Sequence, residues 1–374
     1  MVEWHRSLEV VVNPAGARPD PAFWRGRRVL LTGHTGFKGS WLALWLLQMG
    51  ADVMGVALEP PSAPALFDQL DLVASALRHR RCDLGDTEGL TQAVRDHRPE
   101  VVLHLAAQAL VREGYRQPLT TWNTNVMGTL QLLEVLRQLR DPCAVVAVTT
   151  DKVYANSEDG RPFREQDPLG GHDPYSGSKA AMELAIASWR QSFCGEAPHQ
   201  TPHLRLVSAR AGNVIGGGDW AHERIVPDTI RALQRGEPIL VRNPRAVRPW
   251  QHVLEPLAGY MLLAERVATD PPKATSFNFA PAEADQRRVD ELVVEVLHHW
   301  PGSWQIASNP SAPQESERLL LDASLAGQIL GWIPRWSFVQ SVAFTVQWYR
   351  RVHEGESARE LCLEQINNYV AGTR

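Results

Sequence analysis

Tyr175 and Lys179 stand four residues apart, so a helix carrying both presents them on one face, one turn from each other. A nearby ammonium favours the phenolate, and a tyrosine drawn down from its ordinary pKa of ~10 becomes a base able to take a proton from a hydroxyl group. The same pair also arises on surface helices that do no chemistry, and two upstream features favour the catalytic role. The first is Thr150-Asp151-Lys152, a hydroxyl, a carboxyl and an ammonium in consecutive positions after an apolar run. Asp151 and Lys152 form either an acid and base pair or an ordinary ion pair at a strand end. The second is the glycine spacing of Thr32-Gly33-His34-Thr35-Gly36-Phe37-Lys38-Gly39. In such a turn Gly33 takes the tight bend, Gly36 lets the backbone approach a pyrophosphate, and Gly39 lets helix and strand pack closely. The helix N-terminus then offers unpaired N–H groups to the anion.

Those groups act together only if the chain delivers them to one place. Val29-Leu30-Leu31 predicts a short buried strand, the glycine run a turn, and Ser40 to Met49 a helix that Gly50 stops. Further strands are predicted over 53–57, 101–105 and 145–149, with helices over 87–97, 121–140 and 179–193. Strands alternating with helices of this length predict an α/β fold, a Rossmann-type doubly wound parallel sheet. After residue 205 the alternation is lost: Gly216-Gly217-Gly218-Asp219 predicts a flexible loop, and Pro227, Pro238, Pro244 and Pro249 cut the chain into short pieces. The expected division is an N-terminal extension over 1–22, a dinucleotide-binding domain over 23–205 and a smaller substrate-binding lobe over 206–374. Some segments of that lobe are expected to return to the first domain.

Composition narrows the partners. With 374 residues, 44% hydrophobic and 21% charged, the chain suits a globular protein of one large and one smaller domain, and no apolar run approaches the ~20 residues of a membrane span. A formal charge of -4 argues against nucleic acid and points to a small-molecule ligand. Cys82, Cys143, Cys194 and Cys362 are widely spaced, with no histidine at ligand spacing, so ordinary thiols are expected, with no metal site and no disulfide framework. Residues 1–22 lack the basic start, apolar core and cleavage site of a signal peptide, which implies a cytoplasmic location. That stretch reads either as a disordered extension or as the product of an upstream start codon.

The glycine spacing, the Tyr175 and Lys179 pair and His104-Leu105-Ala106-Ala107 at the fourth strand are together similar to the extended short-chain dehydrogenase/reductase family. The resemblance implies NAD as the cofactor, held by Gly33, Thr35, Gly36, Phe37, Lys38 and Gly39, and by Asp83 and Leu84 near the adenine. Leu105, Ala106, Ala107, Tyr175 and Lys179 complete that implied set. One position departs from the family: at the end of the second strand, where an acidic residue commonly holds the ribose, the chain has Ala57-Leu58, with Glu59 behind. No Arg stands there to favour a 2′-phosphate.

Thr150-Asp151-Lys152 narrows the resemblance to the nucleotide-sugar 4,6-dehydratases. Such enzymes need an acid and a base beside the sugar in addition to the tyrosine. The Asp-Lys form, with the opening Phe23-Trp24-Arg25-Gly26, resembles the branch acting on CDP-glucose. This implies catalysis by Thr150, Asp151, Lys152, Tyr175 and Lys179, with Gln108, Asn213 and Arg248 binding the substrate and Trp250 and His252 lining its nucleotide end. It further implies a homodimer or higher homo-oligomer built through the helices near 121–140 and 175–193. The stripe Trp122, Val126, Leu130 and Leu133 fits that interface or plain core burial. The resemblance further implies a 6-deoxy or 3,6-dideoxy sugar destined for a surface glycan such as an O-antigen. Two rivals remain. A nucleotide-sugar epimerase would leave Asp151 and Lys152 without a task, and a non-catalytic dinucleotide sensor would have no use for Tyr175 and Lys179.

Overall fold

The computed structural model describes residues 16–156, 160–195, 197, 200–201, 203–307 and 318–372. Residues 1–15 of the expected extension lie outside them. Residues 16–22 belong to the fold: the Ala17 N–H donates to the Gly331 carbonyl at 2.8 Å, and the Asp20 N–H donates to Glu265 at 2.8 Å. Asp20 also caps the short helix α1 (Pro21–Trp24).

Apolar runs bounded by glycine or proline make the central strands. β1 (Arg28–Thr32) passes through the glycine turn into α2 (Phe37–Gln48), followed by β2 (Asp52–Ala57), α3 (Leu66–Gln69) and β3 (Arg78–Arg81). Next come α4 (Thr87–His97), whose first turn is capped by Asp86, and β4 (Val101–His104). The single helix expected over 121–140 is divided. α5 (Val111–Arg116) and α6 (Pro118–Trp122) lead into a π-helical turn at Asn123–Met127, and α7 (Gly128–Leu136) follows. That turn frees Asn125 to reach sideways: its amide donates to the Gln108 carbonyl at 3.1 Å and to Ser178 at 2.8 Å. β5 (Cys143–Val148), α8 (Pro174–Phe193) and β6 (Leu204–Ala211) complete this half, with Asp173 capping α8 through the N–H groups of Tyr175 and Ser176.

Beyond β6 the elements are β7 (Val214–Ile215), α9 (Ile225–Arg235), β8 (Ile239–Val241), β9 (Val247–Arg248), β10 (Gln251–His252), α10 (Leu254–Thr269) and β11 (Ser276–Phe279). Then come β12 (Arg287–Arg288), α11 (Val289–His299), β13 (Trp304–Ile306), α12 (Ser324–Leu330), α13 (Phe338–His353) and α14 (Ala358–Ala371). Seven strands form one all-parallel sheet in the order β11-β6-β5-β4-β1-β2-β3. The division expected at 205/206 thus falls inside β6, and β11 returns to the same sheet. The remaining short strands pair as β7 with β10, β9 with β12 and β8 with β13.

Apolar side chains cover both faces of the sheet. One layer packs β1, β4 and β5 against α2, α10, α13 and α14, with Trp24, Trp41, Trp45 and Trp348 buried in it. The other packs the sheet against α4, α7 and α8. Strand order reverses about β1, between β2 and β4, so the crevice at the carboxyl ends of these strands is where this architecture receives ligands.

Candidate active site

Every catalytic residue expected from the sequence follows the carboxyl end of a strand of the main sheet or begins the helix beside it. The glycine turn follows β1, Leu105-Ala106-Ala107 follows β4, Thr149-Thr150-Asp151 follows β5 and Gly212-Asn213 follows β6. Tyr175 and Lys179 lie in the first two turns of α8.

The turn after β1 has the form a dinucleotide requires. Gly33 has φ +75°, and a Cβ there would come within 2.7 Å of the Ala106 nitrogen; a Cβ on Gly39 would come within 2.1 Å of the Gly33 carbonyl oxygen. Gly36, by contrast, meets nothing but the Gly33 carbonyl at 3.4 Å, and as N-cap of α2 it leaves the first N–H groups of that helix without a side-chain cap. Those residues fit a pyrophosphate. Thr35 donates to the Leu58 carbonyl at 3.0 Å, tying the turn to the end of β2, where Glu59 pairs with Arg81 at 2.7 Å. Asp83 is exposed and accepts from the Gly85 N–H at 2.6 Å, while Leu84 is buried against Gly128. His104 bridges Thr32 at 2.7 Å and Thr129 at 2.9 Å, and burial pushes its imidazole down to about 3, so it stays neutral.

At the end of β5 the side chain of Asp151 is 1% exposed. Its Oδ1 accepts from the Thr150 hydroxyl at 2.9 Å and from Lys152 Nζ at 3.2 Å. Oδ2 is buried without a partner among the described residues and faces Gly212, where a Cβ would lie 3.3 Å away. A carboxylate oxygen held bare in this way is costly until a ligand hydroxyl meets it. The sequence expectation of a lowered phenol is not met in this structure: burial pushes Tyr175 up to about 12, against the pull of Thr150. Lys179 Nζ donates instead to the Val148 carbonyl at 3.2 Å and rests on Met182, and burial with repulsion from Lys38 lowers it to about 7.

Lys38 was expected only at the cofactor. Its ammonium stands 6.0 Å from the centre of the Tyr260 ring, and burial, then repulsion from Arg224, brings it down to about 8, with Asp151 and Asp219 pulling the other way. Lys38→Met is therefore expected to raise the Lys179 pKa, because a repelling charge is removed. ¹⁵N-detected titration of the Lys179 amine in the cofactor-free protein reads this, and an unmoved or lowered value contradicts it.

Three further residues reach the centre without having been singled out from sequence: Asp219, Arg224 and Tyr260. Arg224 pairs with Asp219 at 3.0 Å and is electrostatically coupled to Tyr175; the Tyr260 hydroxyl is buried without a partner among the described residues and is coupled to Tyr175 and Asp151. Asp219 and Arg224 are in place because the segment expected as a flexible loop is packed. Trp41 donates to the Gly217 carbonyl at 2.9 Å, Trp348 lies flat against Gly217, and Tyr349 donates to the Asp219 carbonyl at 2.6 Å. Only glycine admits the indole of Trp348 that closely, since a Cβ at position 217 would sit 2.1 Å from it.

The expected substrate residues divide. Asn213 has a buried Oδ1 without a partner among the described residues, an acceptor open to a ligand. Arg248, buried on β9, donates to its neighbour's carbonyl at 2.9 Å, and Pro249 beside it packs on Gly212, bringing this segment to the rim of the Asp151 site. The amide of Gln108 is spent on its own loop, donating to Leu110 and Thr121 and accepting from the Leu110 N–H. His252, expected at the nucleotide end, is a core residue wedged between Trp41 and Trp336, with burial lowering it to about 3; Trp250 is buried too, its indole donating to the Arg287 carbonyl. Nor is the stripe on the divided helix one surface: Leu133 is core, whereas Trp122 is exposed. Among the described residues no cluster of histidine, cysteine and carboxylates could hold a metal ion.

Behind this centre a buried ion pair joins α8 to β6. Glu183 and Arg210, each 4% exposed, meet through two hydrogen bonds of 2.9 Å, and Glu183 also accepts from Thr149 at 2.5 Å and Ser208 at 2.7 Å. Glu183 lies one turn beyond Lys179, so the pair holds the catalytic helix against the strand ends that carry Thr149 and Thr150.

The family model described as GDP-mannose 4,6 dehydratase matches residues 30–345. The chain is 43% identical over 360 residues to the CDP-glucose 4,6-dehydratase of Salmonella typhimurium, covering 95% of this chain and 99% of that protein. Among solved structures it is similar to DesIV, a dTDP-glucose 4,6-dehydratase from Streptomyces venezuelae with NAD and TYD bound (TM-score 0.74, 24% identity, 87% of this chain and 98% of that one). It is also similar to the Thermus thermophilus UDP-glucose 4-epimerase in complex with NAD (TM-score 0.71, 27% identity, 86% and 99%).

Proposed function

The chain belongs to the GDP-mannose 4,6 dehydratase family, and from that membership we propose that it converts CDP-glucose into CDP-4-keto-6-deoxyglucose, a hydro-lyase reaction with NAD as cofactor. The observation that carries the reading is Asp151: a buried carboxyl with one oxygen bonded to Thr150 and Lys152 and the other bare, beside Tyr175. An epimerase has no step for such a group.

When bound, NAD would supply the acceptor for the hydride lost from sugar C4 and its donor at C6. Gly33, Gly36 and the uncapped start of α2 would hold its pyrophosphate, with Lys179 serving the same crevice from α8. Tyr175 removes the O4 proton, with the Thr150 hydroxyl at the same strand end. The 4-keto group acidifies C5–H, Lys152 takes that proton, and Asp151 delivers one to O6 so that water leaves. Lys152 later returns a proton to C5. Asn213 and Arg248 bind the diphosphate; a guanidinium can pair two phosphate oxygens at once.

The test is incubation with CDP-glucose, dTDP-glucose, UDP-glucose and GDP-mannose, with and without added NAD, followed by mass spectrometry. Loss of one water from CDP-glucose alone is expected. Isomerisation without mass loss would replace the reading with an epimerase, and no change with dinucleotide bound would replace it with a sensor.

The chain works as a homodimer in the cytoplasm on this reading; no helix among the described residues is long and apolar enough to cross a membrane. Leu119, Trp122, Met127 and Leu184 leave apolar side chains exposed on α6, the π turn and α8, the surface the second copy would cover. Trp122→Glu should turn a dimer into a monomer by light scattering while leaving the circular dichroism spectrum unchanged; a mass unaffected by the charge would move the interface elsewhere.

A further inference from the structure

The segment between β7 and α9, residues 216–224, is fastened at one end to the elements that follow β1 and β2. Gly216 lies against the first residue of α2, since a Cβ there would come within 3.1 Å of the Phe37 ring, and the Gly217 carbonyl accepts from Trp41 of the same helix at 2.9 Å. Gly218 packs on Leu66 and Trp220 donates to Gln69 at 3.3 Å, so α3 is held as well. Arg231 of α9 secures the next two residues, donating to the Trp220 and Ala221 carbonyls at 3.1 Å each.

The far end of the segment is tied to the other half of the sheet. Glu223 Oε1 accepts from Arg112 Nη1 and from Arg116 Nη2, each at 3.1 Å, and both arginines belong to α5, which follows β4. α5 lies directly on the catalytic tyrosine: a Cβ on Gly114 would come within 3.1 Å of the Tyr175 nitrogen. Strand order reverses about β1, between β2 and β4, so a segment held by α2 and α3 on one side and by α5 on the other spans the crevice that the glycine turn faces. The two fastenings differ in kind. The first is built on buried indoles, Trp41 and Trp348, whereas the second is ionic, with Glu223 29% and Arg112 27% exposed and Arg116, shared with Glu113 at 3.0 Å, 60% exposed. Glu223 also has φ +64°, a left-handed conformation that a residue with a Cβ disfavours, and its carbonyl is gripped by Arg242 at 3.0 Å.

We infer that residues 216–224 form a strap across the dinucleotide crevice, and that Glu223 latches it to Arg112 and Arg116 so that the cofactor stays in place through the reaction. The inference rests on NAD as the occupant of this crevice and deepens that reading. The hydride removed at C4 has to return to C6 of the same sugar, so a reduced cofactor that left between the two steps would strand the oxidised sugar. The packed end of the strap is its hinge, and the ionic end is the one that opens for exchange. Glu223, Arg112 and Arg116 are positioning residues: they act through the strap and not on the reacting atoms.

The test follows the release of NADH from the full-length protein by stopped-flow fluorescence while excess NAD displaces it. At low salt, Glu223→Gln and Arg112→Met should each release NADH roughly five- to tenfold faster than the unaltered protein, the modest size expected of partly exposed ion pairs. That gap should close as salt rises to about 0.5 M, where such charges are screened. Arg112→Lys keeps the charge and should stay near the unaltered rate. The two neutralising substitutions lie on opposite sides of the latch, so misfolding of one, visible by circular dichroism, leaves the other to decide. Equal release rates at low salt would show that nothing is latched. An acceleration of the same size at every salt concentration, or as large in Arg112→Lys as in Arg112→Met, would make these residues part of the packing and overturn the ionic latch. If the unaltered protein binds no NADH, the cofactor reading itself falls and takes the latch with it.

Discussion

Asp151→Asn should lower water loss from CDP-glucose by about 10³-fold or more while reduced cofactor and the 4-keto sugar still form. The asparagine amide fills the same space between Thr150 and Gly212, and the bond to the Thr150 hydroxyl can persist, so the fold around Oδ1 has no reason to change. What is lost is a group that can carry a proton to O6. Stopped-flow absorbance should therefore show cofactor reduced and left reduced, whereas the unaltered protein returns it to the oxidised state within each turnover. Undiminished dehydration in this variant would remove Asp151 from the mechanism and leave Lys152 as the acid.

The second large effect is structural and lies one turn further along the catalytic helix. Glu183→Ala should destabilise the protein by about 3–5 kcal/mol, because it leaves the Arg210 guanidinium buried without its carboxylate. Burial opposes the ionisation of Glu183, but the hydrogen bonds and charge of Arg210, with Thr149 and Ser208, outweigh it and hold the carboxyl below its ordinary value of 4.5. A carboxyl lowered by folding contributes stability that is present above its unfolded pKa and lost as pH falls through the folded one. Chemical denaturation at neutral and at acid pH should show the unaltered protein losing this contribution on acidification and the variant lacking it throughout. Replacing both residues, Glu183→Ala with Arg210→Met, should recover much of the loss. If the single variant proved as stable as the parent, the pair would be ornamental and the position of α8 would rest on apolar packing alone.

The catalytic strand ends were legible in the sequence because they are chemically extreme. Val29 to Leu31 and Val145 to Val148 are apolar on both faces, as strands buried between two helical layers must be, and each runs straight into its functional turn. β3 was illegible for the opposite reason: Arg78-His79-Arg80-Arg81 has no apolar alternation, and only its place at the sheet edge lets it be a strand. β6 hid behind small and polar residues, since Ser208 and Arg210 face a buried ion pair that local pattern cannot reveal. At the site, Tyr175 and Lys179 were announced by helical spacing. Asp219 and Arg224 were not, because what brings them to Tyr175 is a stack of indoles on a glycine run far away in sequence. His252 erred in the other direction, an imidazole whose company, Trp41 and Trp336, is apolar and remote.

The edge strand β3 also decides how the sheet ends. A parallel sheet with a free margin offers a row of unpaired N–H and C=O groups to any extended segment of another chain, and open margins are where polymerisation starts. Here the margin is set with guanidinium groups, each tethered to a carboxylate of the parent fold: Arg78 to Asp52, Arg80 to Asp96 and Arg81 to Glu59. A visiting strand would have to strip these cations from their partners and bury them beside its own backbone. The four residues that looked least like a strand therefore serve as a stop, keeping a sheet with a sticky rim from templating onto its neighbours at the concentrations of a crowded cell.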